Sequence, residues 1–387
     1  MSIIPYGRQH LDEADIAAVV EVLRSDFLTQ GPVVPRFEEA VAVRCRARFA
    51  VAGSNATSML HLACLALGLG PGDTLWTVPN TFVASANCAL YCGAQVDFVD
   101  IDPASWNISI EALRDKLTRA RREGRLPKVL VSVDFGGQPV PSEEISALAH
   151  EFGFRVLEDA SHAIGASRYG VPTGDCRHAD IVVFSFHPVK IVTTGEGGMA
   201  LTDDGEIVRR MRLLRSHGIT RNPADMEATP LGDWYYEQVA LGFNYRMTEI
   251  QAALGLSQLR RLDAFVVRRN ELAERYKLAL ARLPLRWQEI IPGNRSTYHL
   301  FTIRLDTARH TPPRAEVFAA LRKAGIGVNL HYMPVHLQPH YRRLGFAPGY
   351  CPEAERHGAQ AITLPLFPTM TDDDQSRVVE ALSTALA

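Results

Sequence analysis

The feature that most constrains the fold is a series of short apolar segments that alternate with helical patterns between residues 49 and 184. Strands that are apolar throughout are typical of parallel sheets, because helical crossovers cover both faces of such a sheet. The pattern therefore predicts an α/β fold with a mostly parallel central sheet and helices on both faces. The predicted strands are 49–51, 74–78, 95–99, 128–133, 154–157 and 181–184, and predicted helices near 55–68, 82–92, 109–122 and 142–152 separate the first five.

A different pattern after about residue 205 predicts a second, smaller unit. We expect a large α/β domain at 1–260, whose first 35 residues form a segment that contacts substrate, and a small α+β domain at 261–387. The small domain is expected to begin within a long linking helix. The elements predicted outside the alternating region are helices at 8–26, 205–216, 248 to roughly 283, 314–324 and after Thr371, with strands around 298–304 and 326–331.

Composition argues against several classes of protein. The 41 Lys and Arg residues balance 43 Asp and Glu residues, which argues against a nucleic-acid partner. The longest charge-free run, 74–96, contains Pro79, Asn80 and Gly93, so it predicts a strand and a buried helix rather than a membrane span. The six cysteines form no CxxC pair and the chain starts without a signal-peptide pattern. We therefore expect a cytoplasmic protein with reduced thiols and no metal site.

Polar groups follow three of the predicted strands at their carboxyl ends, where ligands bind in open α/β sheets. Residues 53–57 open a helix after the first strand, and free N–H groups at a helix start suit phosphate. Such a stretch alone is more often only a helix cap. Asp159 and His162 follow the fifth strand, and Ser185 and Lys190 follow the sixth. Each residue has an ordinary structural explanation by itself, but their coincidence on one rim predicts a binding site.

Pyridoxal phosphate is a cofactor that would use all of these groups. Its aldehyde condenses with a lysine, its ring nitrogen pairs with a carboxylate, its phosphate needs donors, and its ring accepts an aromatic face such as that of Phe82. An ionised Asp159 would keep the ring nitrogen protonated, and the apolar neighbours of Lys190 would favour its neutral amine. We therefore expect Lys190 to act as nucleophile and then as proton carrier.

These segments resemble the sugar aminotransferases of the DegT/DnrJ/EryC1/StrS family, which are pyridoxal phosphate enzymes of fold type I. The resemblance covers nearly the whole chain and is carried by residues 54–57, 158–162, 185–190, 195–198 and 242–247. It implies that Lys190 forms the Schiff base, Asp159 contacts the pyridine nitrogen, His162 lies near the ring oxygen, Phe82 stacks on the ring, and Ala56, Thr57 and Ser185 hold the phosphate. It also implies a homodimer in which Asn244 reaches the phosphate of the neighbouring subunit.

Further stretches are similar to the subgroup that aminates C4 of a UDP-linked 4-keto-6-deoxy-N-acetylhexosamine, with L-glutamate as donor, in pseudaminic acid biosynthesis. These stretches are 4–10, 25–32, 215–219, 234–238, 255–259 and 331–335. The likeness implies that the residues around the sugar nucleotide are Tyr6, Asp26, Phe27, Leu28, Thr29, His331, Tyr332 and Met333. Arg246 is a candidate partner for a substrate carboxylate or phosphate.

Three alternatives remain open at this point. Relatives that aminate 4-keto-arabinose or form perosamine share the catalytic residues, so another nucleotide 4-keto sugar is a possible substrate. A pyridoxal phosphate-dependent sugar dehydratase is the alternative from another enzyme class, although relatives of that kind carry histidine in place of the lysine. A sensor that keeps the fold without the reaction is the non-enzymatic alternative. His331, His336 and His340 have a spacing that a metal site could use, but no carboxylate lies among them.

Overall fold

The computed structural model describes residues 3–309 and 311–387. Within these ranges, the α-helices in chain order are α1 Glu13–Leu23, α2 Val33–Cys45, α3 Ala56–Ala66, α4 Ala84–Tyr91, α5 Ile110–Glu123, α6 Ser142–Phe152, α7 Gly205–Arg215, α8 Glu249–Leu259, α9 Leu262–Leu280, α10 Arg314–Lys323, α11 Pro339–Arg342, α12 Pro352–Gln360 and α13 Asp372–Leu386. No helix in these ranges is both long enough and apolar enough to cross a membrane.

The strands divide into one large sheet and three small ones. The large sheet has the order β1-β9-β8-β5-β4-β2-β3, and a smaller sheet in the C-terminal part has the order β12-β14-β15. The strand bounds are β1 Phe49–Gly53, β2 Thr74–Thr77, β3 Gln95–Phe98, β4 Val129–Val133, β5 Arg155–Asp159, β6 Ser167–Arg168, β7 Val171–Pro172, β8 Ile181–Ser185, β9 Gly198–Thr202, β10 Ile219–Thr220, β11 Glu237–Gln238, β12 Leu285–Trp287, β13 Asn294–Arg295, β14 Phe301–Leu305 and β15 Ala361–Leu364.

The predicted mostly parallel sheet is confirmed. β3, β2, β4, β5 and β8 run parallel, and the six strands predicted between residues 49 and 184 are present with bounds within two residues of the prediction. β9 was not predicted. It lies between β8 and β1 and is antiparallel to both, with Ala200 opposite Val183 on one side and Val51 on the other. Its sequence after the glycine turn has no β-branched residue before Thr202, which weakened the strand pattern.

The prediction of one long helix from 248 to roughly 283 is wrong. Arg261 leaves the helical conformation with φ −101° and ψ 3°, and the chain divides there into α8 and α9. Contacts with α1 hold this break, since Arg261 pairs with Asp15 and Gln258 donates to the Asp15 carboxylate over 2.6 Å. The interaction of a buried carboxylate with two side chains outweighs the helical propensity of the segment.

The predicted strand at 326–331 is also wrong, because this segment makes only single bridges. Ile326 pairs with Ile4 in the N-terminal segment, and Asn329 pairs with Thr363 in β15. Gly325, directly before this segment, adopts a left-handed conformation with φ +80° in the turn after α10. The sheet of the C-terminal part is completed instead by β12 and β15, which the sequence pattern did not reveal.

Two clusters of buried apolar side chains stabilise the molecule, and α9 contributes to both. Leu262 and Phe265 pack in the larger cluster around the seven-stranded sheet, whereas Leu272 and Tyr276 pack in a second cluster around the β12-β14-β15 sheet. Other segments pack in the cluster of the opposite part of the chain. Ile4, near the N-terminus, lies in the second cluster, and residues within 335–354 lie in the larger cluster. Residues 329–332 therefore lie between the two clusters and reach the carboxyl edge of the large sheet.

Candidate active site

A cavity of about 550 Å³ lies at the carboxyl ends of the parallel strands. Val133, Asp159 and Ser185, which end β4, β5 and β8, form part of its wall, and the segment after β2 contributes Thr81 and Phe82. The predicted site residues that line the cavity are Tyr6, Ala56, Thr57, Phe82, Asp159, His162, Ser185, Lys190, His331 and Tyr332. Residues from both ends of the chain thus meet at one site.

Lys190 reaches the cavity because the loop after β8 closes on a buried phenylalanine. The amide of Phe186 donates to Gly197 O over 2.9 Å, and the carbonyl of Phe186 accepts from Thr194 N over 3.0 Å. Within this loop, Lys190 N donates to His187 O over 2.9 Å, so a tight turn carries the lysine. Burial lowers the pKa of Lys190 to about 8, and the charge of Asp159 partly opposes this shift.

Asp159 ends β5 and is buried in the floor of the cavity. Ser85 Oγ donates to its Oδ2 over 2.6 Å, and the amide of Ser161 donates to its Oδ1 over 3.2 Å. A carboxylate can accept about four hydrogen bonds, so two donors leave acceptor capacity for a ligand group. The residue can therefore bind a protonated ring nitrogen.

His162 has a defined tautomer because a backbone amide donates to one ring nitrogen. Gly136 N donates to His162 Nδ1 over 3.3 Å, so the ring proton lies on Nε2. Nε2 is 3.2 Å from the hydroxyl oxygen of Tyr332 and donates to it, which leaves the Tyr332 proton free to donate elsewhere. Burial lowers the pKa of His162 well below its ordinary value, with Lys190 adding to the effect, so this histidine is neutral.

The start of α3 presents two amide groups to the cavity. Ala56 and Thr57 are the first residues of the helix, so their N–H groups have no acceptor within it. Asn55 fixes this helix start, since its side chain accepts from Ser58 N over 2.8 Å. A Cβ at Gly198 would lie 2.5 Å from Ala56 N, which explains the glycine-rich entry into β9. The arrangement suits a phosphate group.

Seven of the predicted site residues do not line the cavity of the single chain. Phe27 and Leu28 are about half exposed, and Thr29 bridges to Thr248 at the start of α8. Asn244 is exposed and bridges to Ser216, and Met333 points to the surface with 46% of its area exposed. The residues outside the cavity are Asp26, Phe27, Leu28, Thr29, Asn244, Arg246 and Met333.

The three histidines with metal-like spacing are separated in the structure. His331 lies in the cavity wall and its Nδ1 is 2.9 Å from Thr363 Oγ1. His336 is buried and pairs with Glu355 over 2.9 Å, and His340 is exposed. The described residues contain no group of three or more His, Cys, Asp or Glu side chains that could hold a metal ion.

The sequence reasoning missed several residues at this site. His299 packs its ring 4.5 Å from that of His162, and Glu196 and Asn329 line the cavity. Ser85 lies behind Asp159. A signal existed only for Ser85, which follows Phe82 by three residues within the predicted helix 82–92. The others depend on how the loops and the C-terminal part pack against the sheet, which no local pattern reports.

These groups fit pyridoxal phosphate. A buried carboxylate with spare acceptor capacity, a lysine with a lowered pKa, and two free helix-start amides lie around one cavity of suitable size. The exposed face of Phe82 lies at the same cavity and can cover a ring. When bound, the cofactor supplies an aldehyde that accepts an amine and a ring that withdraws electrons from the attached carbon.

Comparisons with known proteins agree with this reading. A sequence model of the DegT/DnrJ/EryC1/StrS aminotransferase family matches residues 9–383. The spore coat polysaccharide biosynthesis protein SpsC of Bacillus subtilis is 36% identical over 382 residues, covering 98% of this chain and 96% of SpsC.

Solved structures superpose over the whole chain. Helicobacter pylori PseC, an aminotransferase involved in the biosynthesis of pseudoaminic acid, has a TM-score of 0.90 and 30% identity, covering 100% of this chain and 99% of PseC. The aminotransferase TlmJ of Streptoalloteichus hindustanus has a TM-score of 0.89 and 32% identity, covering 99% of each chain. The expected fold type I and the expected cofactor are confirmed. The chain therefore belongs to the DegT/DnrJ/EryC1/StrS aminotransferase family and is a pyridoxal phosphate-dependent sugar aminotransferase.

Proposed function

We propose that the enzyme transfers the amino group of L-glutamate to C4 of a UDP-linked 4-keto-6-deoxy-N-acetylhexosamine. The product would be UDP-4-amino-4,6-dideoxy-N-acetyl-β-L-altrosamine, an intermediate of pseudaminic acid biosynthesis. The observation that carries this proposal is the likeness to PseC over the whole length of both chains. The stretches around Tyr6, residues 25–32 and residues 331–335, which resemble the same subgroup, add to it.

We propose that Lys190 is both nucleophile and proton carrier. Its lowered pKa supplies a neutral amine near pH 8, which is the form that attacks a carbonyl. With the cofactor bound, Lys190 Nζ would take the proton from Cα of glutamate and deliver it to C4′ of the cofactor. In the second half-reaction it would take a proton from C4′ and deliver it to C4 of the sugar. Asp159 holds the ring nitrogen, and His162 lies near the ring oxygen. Because 2-oxoglutarate leaves before the sugar binds, the kinetics are ping-pong.

We assign the phosphate to the start of α3 and to Ser185, and the sugar nucleotide to the opposite side of the cavity. Tyr6, His331 and Tyr332 are the proposed sugar contacts within one chain. Their support is that they share the cavity with Lys190. The turn at 26–29, Arg246 and Met333 lie outside that cavity. We propose that they contact substrate only once a second copy of the chain or the substrate itself is bound.

We propose that the working unit is a homodimer in which Asn244 contacts the phosphate of the neighbouring subunit. Asn244 is exposed and does not line the cavity of its own chain. The segment before it carries apolar side chains in contact with solvent, with Leu231 at 76%, Trp234 at 75% and Leu241 at 82% exposure. We assign this exposed apolar segment to the surface that the partner subunit covers. We expect this dimer in the cytoplasm, where the six unpaired thiols remain reduced.

A substrate panel tests the proposed reaction. The holoenzyme is incubated with glutamate and UDP-linked or other nucleotide-linked 4-keto sugars, and the amino sugars are identified by mass spectrometry and NMR. We expect the UDP-linked N-acetylhexosamine to react best. The 36% identity to SpsC favours a different polysaccharide sugar as the second candidate, and preferential amination of such a sugar would contradict the pseudaminic acid assignment. A dehydratase would form product without consuming glutamate.

A trapping experiment tests the role of Lys190. Borohydride reduction of the holoenzyme followed by peptide mapping should place the pyridoxyl group on Lys190. Lys190→Ala should abolish transamination, whereas Lys323→Ala, which removes an exposed lysine of α10, should leave the rate unchanged. A label on another lysine would refute the assignment.

A further inference from the structure

Ser85 occupies an unusual position for a serine in the first turn of a helix. It is the second residue of α4 and is fully buried, with none of its surface exposed. Its Oγ lies 2.6 Å from Oδ2 of Asp159, which is 74 positions further along the chain. A hydroxyl that donates to a carboxylate over this distance makes one of the stronger classes of hydrogen bond in proteins.

The direction of the proton in this group can be assigned. Ser85 has one hydroxyl proton, and Phe82 O lies 3.3 Å away as a competing acceptor. The shorter distance and the charge of the carboxylate favour Asp159. Thr81 Oγ1 lies 2.8 Å from Ser85 Oγ, so Thr81 must be the donor in that pair. The result is a buried chain of two hydroxyl groups that ends on Asp159.

The ordinary explanation for Ser85 does not account for this geometry. Serine in a helix often returns its hydroxyl to a carbonyl three or four residues earlier, here Phe82 O. That contact is the longer of the two, and a residue that needed only this bond would not have to lie against a buried carboxylate. Val83, which precedes the helix, provides no side-chain cap, so Ser85 is also not part of a capping arrangement.

We propose that Ser85, assisted by Thr81, is a positioning residue that orients the Asp159 carboxylate toward the cofactor ring nitrogen. This inference rests on the proposed role of Asp159. The terminal torsion of an aspartate has a broad energy well, so a single amide donor at Oδ1 leaves the carboxylate plane poorly defined. The Ser85 bond at Oδ2 fixes that plane. Because Ser85 lies in the same turn as Phe82, one helix start sets both the carboxylate and the aromatic face.

The test uses the full-length enzyme with the variants Ser85→Ala, Thr81→Val and Ser132→Ala. Ser132 is the matched control. It is as buried as Ser85 and lies on β4, which pairs with the strand that carries Asp159, and its hydroxyl has no hydrogen-bond partner in the described ranges. Two readouts besides activity are the dissociation constant for pyridoxal phosphate and the 15N chemical shift of its labelled ring nitrogen as pH rises.

We expect Ser85→Ala to weaken cofactor binding about tenfold. It should also lower the pH at which the ring nitrogen loses its proton by about one unit, because one pKa unit corresponds to a tenfold change in the equilibrium. Thr81→Val should produce smaller changes in the same direction, and Ser132→Ala should resemble the wild type. A 15N titration unchanged by Ser85→Ala would overturn the inference, even if stability or activity fell.

Asp159→Asn separates this inference from the assignment on which it rests. If Asp159→Asn leaves the ring nitrogen protonated as in the wild type, the proposed role of Asp159 is wrong. If Asp159→Asn removes the proton and Ser85→Ala does not shift the titration, only the positioning role of Ser85 is wrong.

Discussion

At the scale of single residues, the environment of Lys190 controls its reactivity. Its neighbours in the turn after β8 are the apolar residues Val189, Ile191 and Val192, and burial is the main cause of its pKa of about 8. Asp159 acts in the opposite direction because a nearby negative charge stabilises the ammonium form. The sequence shows the apolar residues around Lys190. The distance from Lys190 to the Asp159 carboxylate depends instead on how β5 and β8 pair, which the sequence does not show.

This balance predicts how the apoenzyme takes up its cofactor as pH changes. The neutral amine attacks the aldehyde, so the rate should rise about tenfold per pH unit below about 8 and become constant above it. Asp159→Asn removes the charge that raises the pKa, so the midpoint should move to lower pH. Stopped-flow absorbance after mixing with pyridoxal phosphate measures both profiles. A midpoint near the ordinary lysine value of about 10.4 would contradict the prediction.

At the scale of secondary-structure elements, α3 links the fold to phosphate binding. The capping box of Asn55 and Ser58 fixes the helix start that presents the amides of Ala56 and Thr57 to the cavity. Thr371 and Asp374 form the same kind of box at α13, in the C-terminal part of the chain. In both caps a side chain accepts from the amide of the residue three positions on, but only the start of α3 lies at the cavity.

We predict that Asn55→Ala and Thr371→Ala each lower the free energy of unfolding by about 1 kcal/mol, since each removes a helix cap. Only Asn55→Ala should also weaken binding of pyridoxal phosphate. Urea denaturation of the apoenzyme and a fluorescence titration with the cofactor measure the two effects. Equal cofactor affinities in the two variants would show that the start of α3 does not hold the phosphate.

The elements were predictable from the sequence to different degrees. The strands of the parallel sheet were recognisable because each is a continuous apolar run, and the α13 cap was recognisable from Thr371 and Asp374. The break between α8 and α9 was not, because Asp15, 246 residues from Arg261, stabilises it. The same limit applied to the site. Asp159 ends β5 and Lys190 follows β8, whereas His299 and Asn329 reach the cavity only through tertiary packing.

At the scale of the whole molecule, the proposed dimer makes each site depend on two chains. If Asn244 crosses the interface, the Lys190 and the Asn244 of one chain serve the two different active sites of the dimer. The variants Lys190→Ala and Asn244→Ala would then each lose activity as homodimers. A mixed dimer would contain one site with both residues intact and one site with neither.

We predict that unfolding and refolding an equimolar mixture of these two variants restores about a quarter of the wild-type activity, because half of the randomly formed dimers are mixed and each has one intact site. Each variant refolded alone is the control. Activity that does not exceed the sum of the two controls would place Asn244 in the site of its own chain.

Because α9 contributes to both apolar clusters, it limits where two relatives can be joined in a chimeric enzyme. A chimera joined between Val266 and Leu272, inside α9, would keep each half of this helix with the cluster in which it packs. A junction at Arg260–Arg261 leaves α8 and α9 whole, but it would place foreign side chains at Leu262 and Phe265 of the larger cluster. Two further segments would also have to match the clusters in which they pack. Residues 335–354 would come from the parent that supplies the larger cluster, and Ile4 from the parent that supplies the second cluster.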